Sequence, residues 1–322
     1  MKAIVLYKSC SPEELKISEV QIPEVKPGWV LIKVKAFGLN RSELLMRAYE
    51  ADSPYIKLPR IPGIECAGEI EAPSDSNFVK GQRVIALMGG MGRSFDGSYA
   101  EYTLVPCKNV FKVETSLGWE DLAAIPETYF TAWGSLFDSL QIKSEDTLFI
   151  RGGTSALGLA SVQLAKSVGV NVTASSRNEN KVDFLMKQGT DNVLLDNGTL
   201  AEQLFKLHPQ GVNKVLELIG PSTLLESARL LIHHGIICST GVLGEKGILN
   251  NFDPIKDLPS GVYLTGFFSN YPTQTVINDI FEHLNKHKLR PIISKVFSFD
   301  EIGQAHALME NNTANGKVVV KI

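Results

Sequence analysis

A chain of 322 residues exceeds what one hydrophobic core usually organises, so two domains are expected. Hydrophobic residues make up 44% and charged residues 21%, which excludes a disordered chain; 32 Lys and Arg against 35 Asp and Glu give no basic footprint for nucleic acid. No apolar run approaches the roughly 20 residues of a membrane helix, and the opening residues 1–7 lack a leader pattern, so the expectation is a cytoplasmic protein with no nucleic-acid or membrane partner.

In chain order, short apolar stretches at 3–6, 29–36, 68–71, 83–87 and 98–105 are separated by Pro and Gly and predict a mostly β, partly barrel-like domain. A helix predicted at 40–48 interrupts them, with Ser42, Glu43 and Arg47 polar and Leu44, Leu45 and Met46 supplying apolar surface. Beyond Pro126 the period changes. Strands at 147–151, 171–175, 192–195, 214–218, 236–240 and 263–267 alternate with helices at 158–168, 179–188, 201–207 and 222–233, several stopped by Gly169, Gly189 and Gly235. Six strands with helical crossovers make a complete doubly wound parallel dinucleotide (Rossmann) fold. After residue 270 come a helix at 273–287, a strand at 296–299, a helix at 299–309 and a last strand at 317–322. The six-stranded sheet has no place for that last strand, so it is expected to return to the first domain. The predicted α/β architecture is therefore a domain at 122–269 inserted into one built from 1–121 and 270–322.

Cys10, Cys66, Cys107 and Cys238 are scattered without close pairs and read as small apolar residues rather than as a metal or disulfide framework. The first strand of the inserted domain runs through Gly152, Gly153, Thr154, Ser155, Ala156, Leu157 and Gly158 into a helix. Small residues let backbone approach a pyrophosphate, and the opening amides and dipole of the helix favour an anion. The run is a degenerate glycine pattern that also suits an ordinary tight turn; its place at the first βα junction favours the coenzyme reading. The second strand ends in Ser175, Ser176 and Arg177, with Lys181 following, where an NAD site commonly carries an acid. Two hydroxyls and two cations suit a 2′-phosphate, hence NADPH; the alternative is a solvated loop with ordinary surface charges.

Several segments together resemble the quinone oxidoreductase (zeta-crystallin-like) branch of the medium-chain dehydrogenase/reductase family. They are Met1-Lys2-Ala3-Ile4, Phe37-Gly38-Leu39-Asn40-Arg41-Ser42-Glu43, Pro62-Gly63-Ile64-Glu65-Cys66-Ala67-Gly68, Gly97-Ser98-Tyr99-Ala100-Glu101-Tyr102, Ile125-Pro126 with Thr131-Ala132-Trp133, the glycine-rich turn, and Gly316-Lys317-Val318-Val319. The likeness spans essentially the whole chain and implies a GroES-like catalytic domain around the Rossmann domain. Zinc enzymes of the family place a ligand Cys where this chain has Asn40 and a ligand His where it has Ile64, so the resemblance implies a zinc-free enzyme.

By the same resemblance Asn40 and Thr131 stand at the nicotinamide end, Asn40 donating to negative charge on the acceptor oxygen. Ile219, Gly241, Val242, Leu243, Phe267 and Phe268 would complete the coenzyme site, the glycine segment clamping the carboxamide and a Phe walling the pocket. Leu45 and Asp196 depart from Tyr residues of relatives, the first weakening a Tyr proton relay and the second the NADPH preference. The implied activity is hydride transfer from NADPH to a quinone or α,β-unsaturated carbonyl in a homodimer paired through the 262–268 region. Enoyl-thioester reduction and a non-catalytic, NADPH-binding structural or regulatory role are the alternatives.

Overall fold

Alternating apolar and polar residues give the first part of the chain its short strands, as seen in a computed structural model that describes residues 1–244 and 247–322. The described chain divides into two compact units, Met1–Phe130 with Ser269–Ile322, and Thr131–Phe268. In chain order the first unit opens with β1 Lys2–Ile4, β2 Ile17–Glu19, β3 Trp29–Leu39, α1 Arg41–Leu45, β4 Glu65–Ala72, β5 Arg83–Leu87, β6 Tyr102–Pro106 and β7 Val110–Lys112. The strands β2 and β7, three residues each, are too short for a two-residue period to register and escape the sequence reading. The helix expected at 40–48 is α1 followed by a π-helical turn, Met46–Glu50. Its supposed polar face is corrected by the structure: Glu43 and Arg47 are 1% and 2% exposed, because both are held by partners inside the unit.

Helices α2 Trp119–Ala123 and α3 Pro126–Trp133 follow. The first break falls after Phe130 rather than after residue 121, since α2 packs on β3 and β4 and the Glu127 amide is tied to Glu65. The second unit contains β8 Thr147–Arg151, α4 Ala156–Ser167, β9 Asn171–Ser176, α5 Val182–Lys187, β10 Asn192–Leu195, α6 Leu200–Leu207, β11 Val212–Glu217, α7 Pro221–Ala228, β12 Leu231–Ser239 and β13 Tyr263–Gly266. Its strands form one parallel sheet in the order β10-β9-β8-β11-β12-β13. The order reverses direction beside β8, the switch point at which open α/β sheets bind ligands. Phe149, Val215 and Ile237 are buried on adjacent strands and pack with Leu204 and Leu224 into this unit's core.

Within the second unit one helix ends earlier than expected. The helix predicted at 222–233 stops at Ala228, and Leu231 to Gly235 already belong to β12. Leu231 and Ile232 carry both periods, and the parallel ladder to β11 decides between them; Gly235 is a strand residue rather than a helix stop.

The chain then returns to the first unit through α8 Gln274–Lys286, β14 Ile293–Ser298, α9 Ile302–Glu310 and β15 Lys317–Lys321. β15 pairs antiparallel with β3 in the sheet β14-β15-β3-β4-β5-β7, with β6 also on β3, as the last strand was expected to do. Phe37 on β3 stacks on Tyr99 at 4.6 Å and meets Phe299 edge-on at 6.2 Å, closing this unit's core.

Candidate functional site

In the second unit the glycine-rich turn needs its glycines. Gly152 adopts a φ of +93°, and a Cβ on Gly158 would lie 2.7 Å from the carbonyl oxygens of Gly152 and Gly153, so α4 can close on the turn only without one. Ser155 caps α4, its Oγ accepting from the Gly158 amide at 3.0 Å. Among the described residues the amides of Thr154, Ala156 and Leu157 meet no acceptor, which leaves three donors at the positive end of a twelve-residue helix. The arrangement can hold a phosphate.

The end of β9 is less open than expected. Ser175 is 1% exposed with its Oγ taken by the Gly152 amide at 3.3 Å, and Ser176 is 4% exposed, its Oγ bonded both ways to the Asn178 backbone at 3.0 Å. Both hydroxyls shape the turn. The cations are better placed: Arg177 is exposed and Lys181 half-buried, with burial lowering the Lys181 pKa.

Arg151 escapes the sequence reading altogether. At the end of β8 and 3% exposed, it grips Asp196 with Nε and Nη2 at 2.8 and 2.9 Å and reaches Glu226 at 2.8 Å. A charge closing an otherwise apolar strand was its only signal. Asp196, the departure noted above, is therefore neutralised by a bidentate arginine rather than left as a bare charge. Beside it, buried Glu217 accepts from the amides of Ile219 and Gly220 and from the hydroxyl of Thr223.

In the segment 241–244 the amides of Gly241, Leu243 and Gly244 are spent on the carbonyls of Glu217, Leu218 and Ile219, while the Val242 amide has no acceptor among the described residues. Thr131 is buried and its carbonyl accepts from Ser135 Oγ at 2.7 Å; Ser135 Oγ also meets Thr240 Oγ1 at 2.9 Å. Phe267 fills the space over Gly134, where a Cβ would fall 2.0 Å from the ring. Phe268, by contrast, is 74% exposed, so core packing does not account for it.

In the first unit Asn40 sits at the end of β3 and caps α1. Its side chain belongs to a cluster with Glu43, Glu65 and Lys317, which are 1%, 0% and 2% exposed. Lys317 Nζ donates to Asn40 Oδ1 at 2.6 Å and pairs with Glu65 Oε1 at 2.7 Å, while Asn40 Nδ2 donates to that same Glu65 oxygen at 2.8 Å. Glu65 Oε2 accepts from the Glu127 amide at the N-terminus of α3 at 2.7 Å. Glu43 accepts from the Asn40 amide at 3.1 Å and the Ile64 amide at 3.2 Å. Burial first, and the charge of Glu65 second, push the Glu43 carboxyl up to about 7.

Zinc does not fit here. The side chain of Ile64 has no donor atom, Asn40 is already bonded at both ends of its amide, and an ammonium stands where a second cation would be repelled.

A further buried group lies behind α1. Arg47 Nε donates to His306 Nδ1 at 3.3 Å, which leaves the ring proton on Nε2, 3.0 Å from the Tyr99 hydroxyl. Burial, and then the Arg47 charge, lower the His306 pKa to about 3, so the ring is neutral.

Two family models match the chain, "Alcohol dehydrogenase GroES-like domain" over residues 26–115 and "Zinc-binding dehydrogenase" over residues 188–320. The human quinone oxidoreductase is 28% identical over 331 residues, covering 99% of this chain and 97% of its own. A zinc-type alcohol dehydrogenase-like protein of Schizosaccharomyces pombe is 27% identical over 335 residues, 96% of each chain. Among solved structures, a mycobacterial protein complexed with NADPH superposes with a TM-score of 0.88 at 24% identity, covering 100% of both chains, and so shares the fold. Matches over both units, full-length relatives and the shared fold place the chain in the medium-chain dehydrogenase/reductase family, in its quinone oxidoreductase branch.

Proposed function

We propose that this oxidoreductase reduces a quinone or an α,β-unsaturated carbonyl with NADPH and without zinc. The observation that carries the reading is the phosphate-ready helix start at Thr154 to Leu157 in the second unit; the metal-incompatible polar cluster around Asn40 in the first unit supports it. NADPH, when bound, would supply the hydride from its dihydronicotinamide ring. The residues proposed to hold it are Gly152, Thr154, Ser155, Ala156, Leu157 and Gly158 at the diphosphate. Arg177 and Lys181, with the turn shaped by Ser175 and Ser176, would meet the 2′-phosphate. Ile219, Gly241, Val242, Leu243, Phe267 and Phe268 would line the nicotinamide half, with Thr131 and Asn40 at its reactive end.

Two features support NADPH over NADH: no acid ends β9, and Asp196, whose amide bonds the last β9 residue, is neutralised by Arg151. The human relative's name and the coenzyme of the mycobacterial neighbour agree with the reading. The test is spectrophotometric: NADPH and NADH oxidation followed over a panel of quinones, enals and enoyl thioesters, with and without a chelator. Chelator-insensitive NADPH oxidation with quinones or enones is expected. Turnover restricted to enoyl thioesters, or dependent on zinc, would replace the proposal, and coenzyme binding without turnover would favour a structural or regulatory role.

A further inference from the structure

The cluster around Asn40 is costly to build. Three ionisable side chains are 1%, 0% and 2% exposed, and apolar residues of similar volume commonly stabilise a core as well as a buried ion pair does. The backbone is also fitted to it: a Cβ on Gly38 would lie 2.4 Å from Lys317 Cε and 2.6 Å from Glu65 Oε1, so only glycine leaves room for the pair. Asn40 is the half-buried member through which the cluster reaches the surface.

An ammonium only donates, so the Asn40 atom touching Lys317 is the amide oxygen, which fixes the way the carboxamide faces. One Nδ2 hydrogen is then committed to Glu65 at 2.8 Å, and the other has only the long 3.5 Å approach to Glu43 Oε1. We propose that Glu65 and Lys317 are positioning residues that lock the Asn40 carboxamide, and that Glu43 competes with the acceptor's oxygen for its second amide hydrogen. The acceptor's role rests on the function proposed above; the lock and the competition do not.

A neutral Glu43 leaves that hydrogen to the substrate oxygen, and a carboxylate draws it inward. The groups facing Glu43 are Glu65 on β4, Lys317 on β15 and the Tyr99 phenol before β6, with Arg47 on the adjoining helical turn. Because the Glu43 carboxyl titrates at about 7, the competition changes across neutral pH.

Two arms test this. In the kinetic arm, Asn40→Ala and Lys317→Met each lower kcat/KM for the quinone, on the order of 100-fold for loss of one oxyanion donor, and the double variant loses no more than either alone. Lys317→Arg recovers part of the loss, and NADPH affinity, read by fluorescence, is unchanged in both Lys317 variants. Wild-type kcat/KM falls as pH rises through about 7, and Glu43→Gln removes that inflection while folding as judged by circular dichroism. Multiplying single effects, full activity in Asn40→Ala, or an inflection kept by Glu43→Gln would overturn the proposal.

In the infrared arm, the carbonyl stretch of a protonated buried carboxyl is titrated in the resting protein. It disappears near pH 7 in the wild type, is missing in Glu43→Gln, and moves to higher pH in Asn40→Ala, which has lost the amide that favours the carboxylate. An unmoved midpoint overturns the competition. If the wild type oxidises no coenzyme, the acceptor's role falls with the proposed function, and the infrared arm alone decides the competition.

Discussion

Arg151 illustrates how much a single side chain can hold. Its guanidinium satisfies Asp196 and Glu226 and touches Ser227 Oγ at 3.1 Å, tying the ends of β8 and β10 to α7. Replacing it by Met leaves half-buried Asp196 without its partner and takes a cation away from buried Glu217, so Arg151→Met is expected to destabilise the second unit by about 3 kcal/mol, measured by denaturant unfolding. Asp196→Asn should cost less, because the amide keeps one acceptor for the arginine. At the proposed 2′-phosphate site, Arg177→Ala and Lys181→Ala are each expected to weaken NADPH binding about tenfold and to leave NADH unaffected, as titration of coenzyme fluorescence would read. Equal weakening of both coenzymes would mean that these cations do not meet the 2′-phosphate. The cations stand out in the sequence because they follow a strand end; the serine hydroxyls were expected at the same phosphate, and the folded turn shows them bonded instead to Gly152 and Asn178.

At the scale of elements, the close approach of α4 to the turn before it makes a specific demand. Gly158→Ala places a methyl 2.7 Å from two carbonyl oxygens, so the helix start must retreat. Coenzyme affinity should fall at least about tenfold for loss of a charge-assisted hydrogen bond, while far-UV circular dichroism stays near wild type; calorimetric titration checks this. The alternation of strand and helix in this unit was readable because each element is long enough to show its period. β8, for example, runs Thr147–Arg151 as the residues predict. Where apolar residues fit both periods, as at Leu231 and Ile232, sheet pairing rather than local preference settles the outcome.

At the scale of the whole molecule, two buried groups set opposing pH dependences of stability. His306 has a folded pKa of about 3, below its unfolded value, so the unfolded chain binds the extra proton and stability is lost as pH falls from about 6.5 toward 3. Glu43 has a folded pKa of about 7, above its unfolded value, so its contribution is full below about 4.5 and is lost as pH rises through 7. Thermal melts should therefore peak in mildly acidic solution, and Glu43→Gln should flatten the alkaline side of that peak. The edge strand β13 exposes Tyr263 and Leu264, an uncovered ladder that a second copy of the chain could extend. We propose a homodimer through this edge, with sedimentation expected to show a dimer and Leu264→Lys a monomer. Among the described residues no helix is long and apolar enough to cross a membrane.

The amino-acid sequence by itself determined the sequential features: the βα alternation and the glycines of the tight turn before α4; the resemblance it carries to a known family added the Asn and Ile standing where zinc ligands would be. These depend on residues near one another in the chain or on the chemistry of a single side chain. Only the tertiary structure decided that Asn40, Glu43, Glu65 and Lys317 form one cluster, that Arg47 is buried against His306, and that Arg151 cancels Asp196. Each such contact joins residues far apart in the chain, and each charge is tolerated in the interior because its partner is there, which local periodicity cannot report.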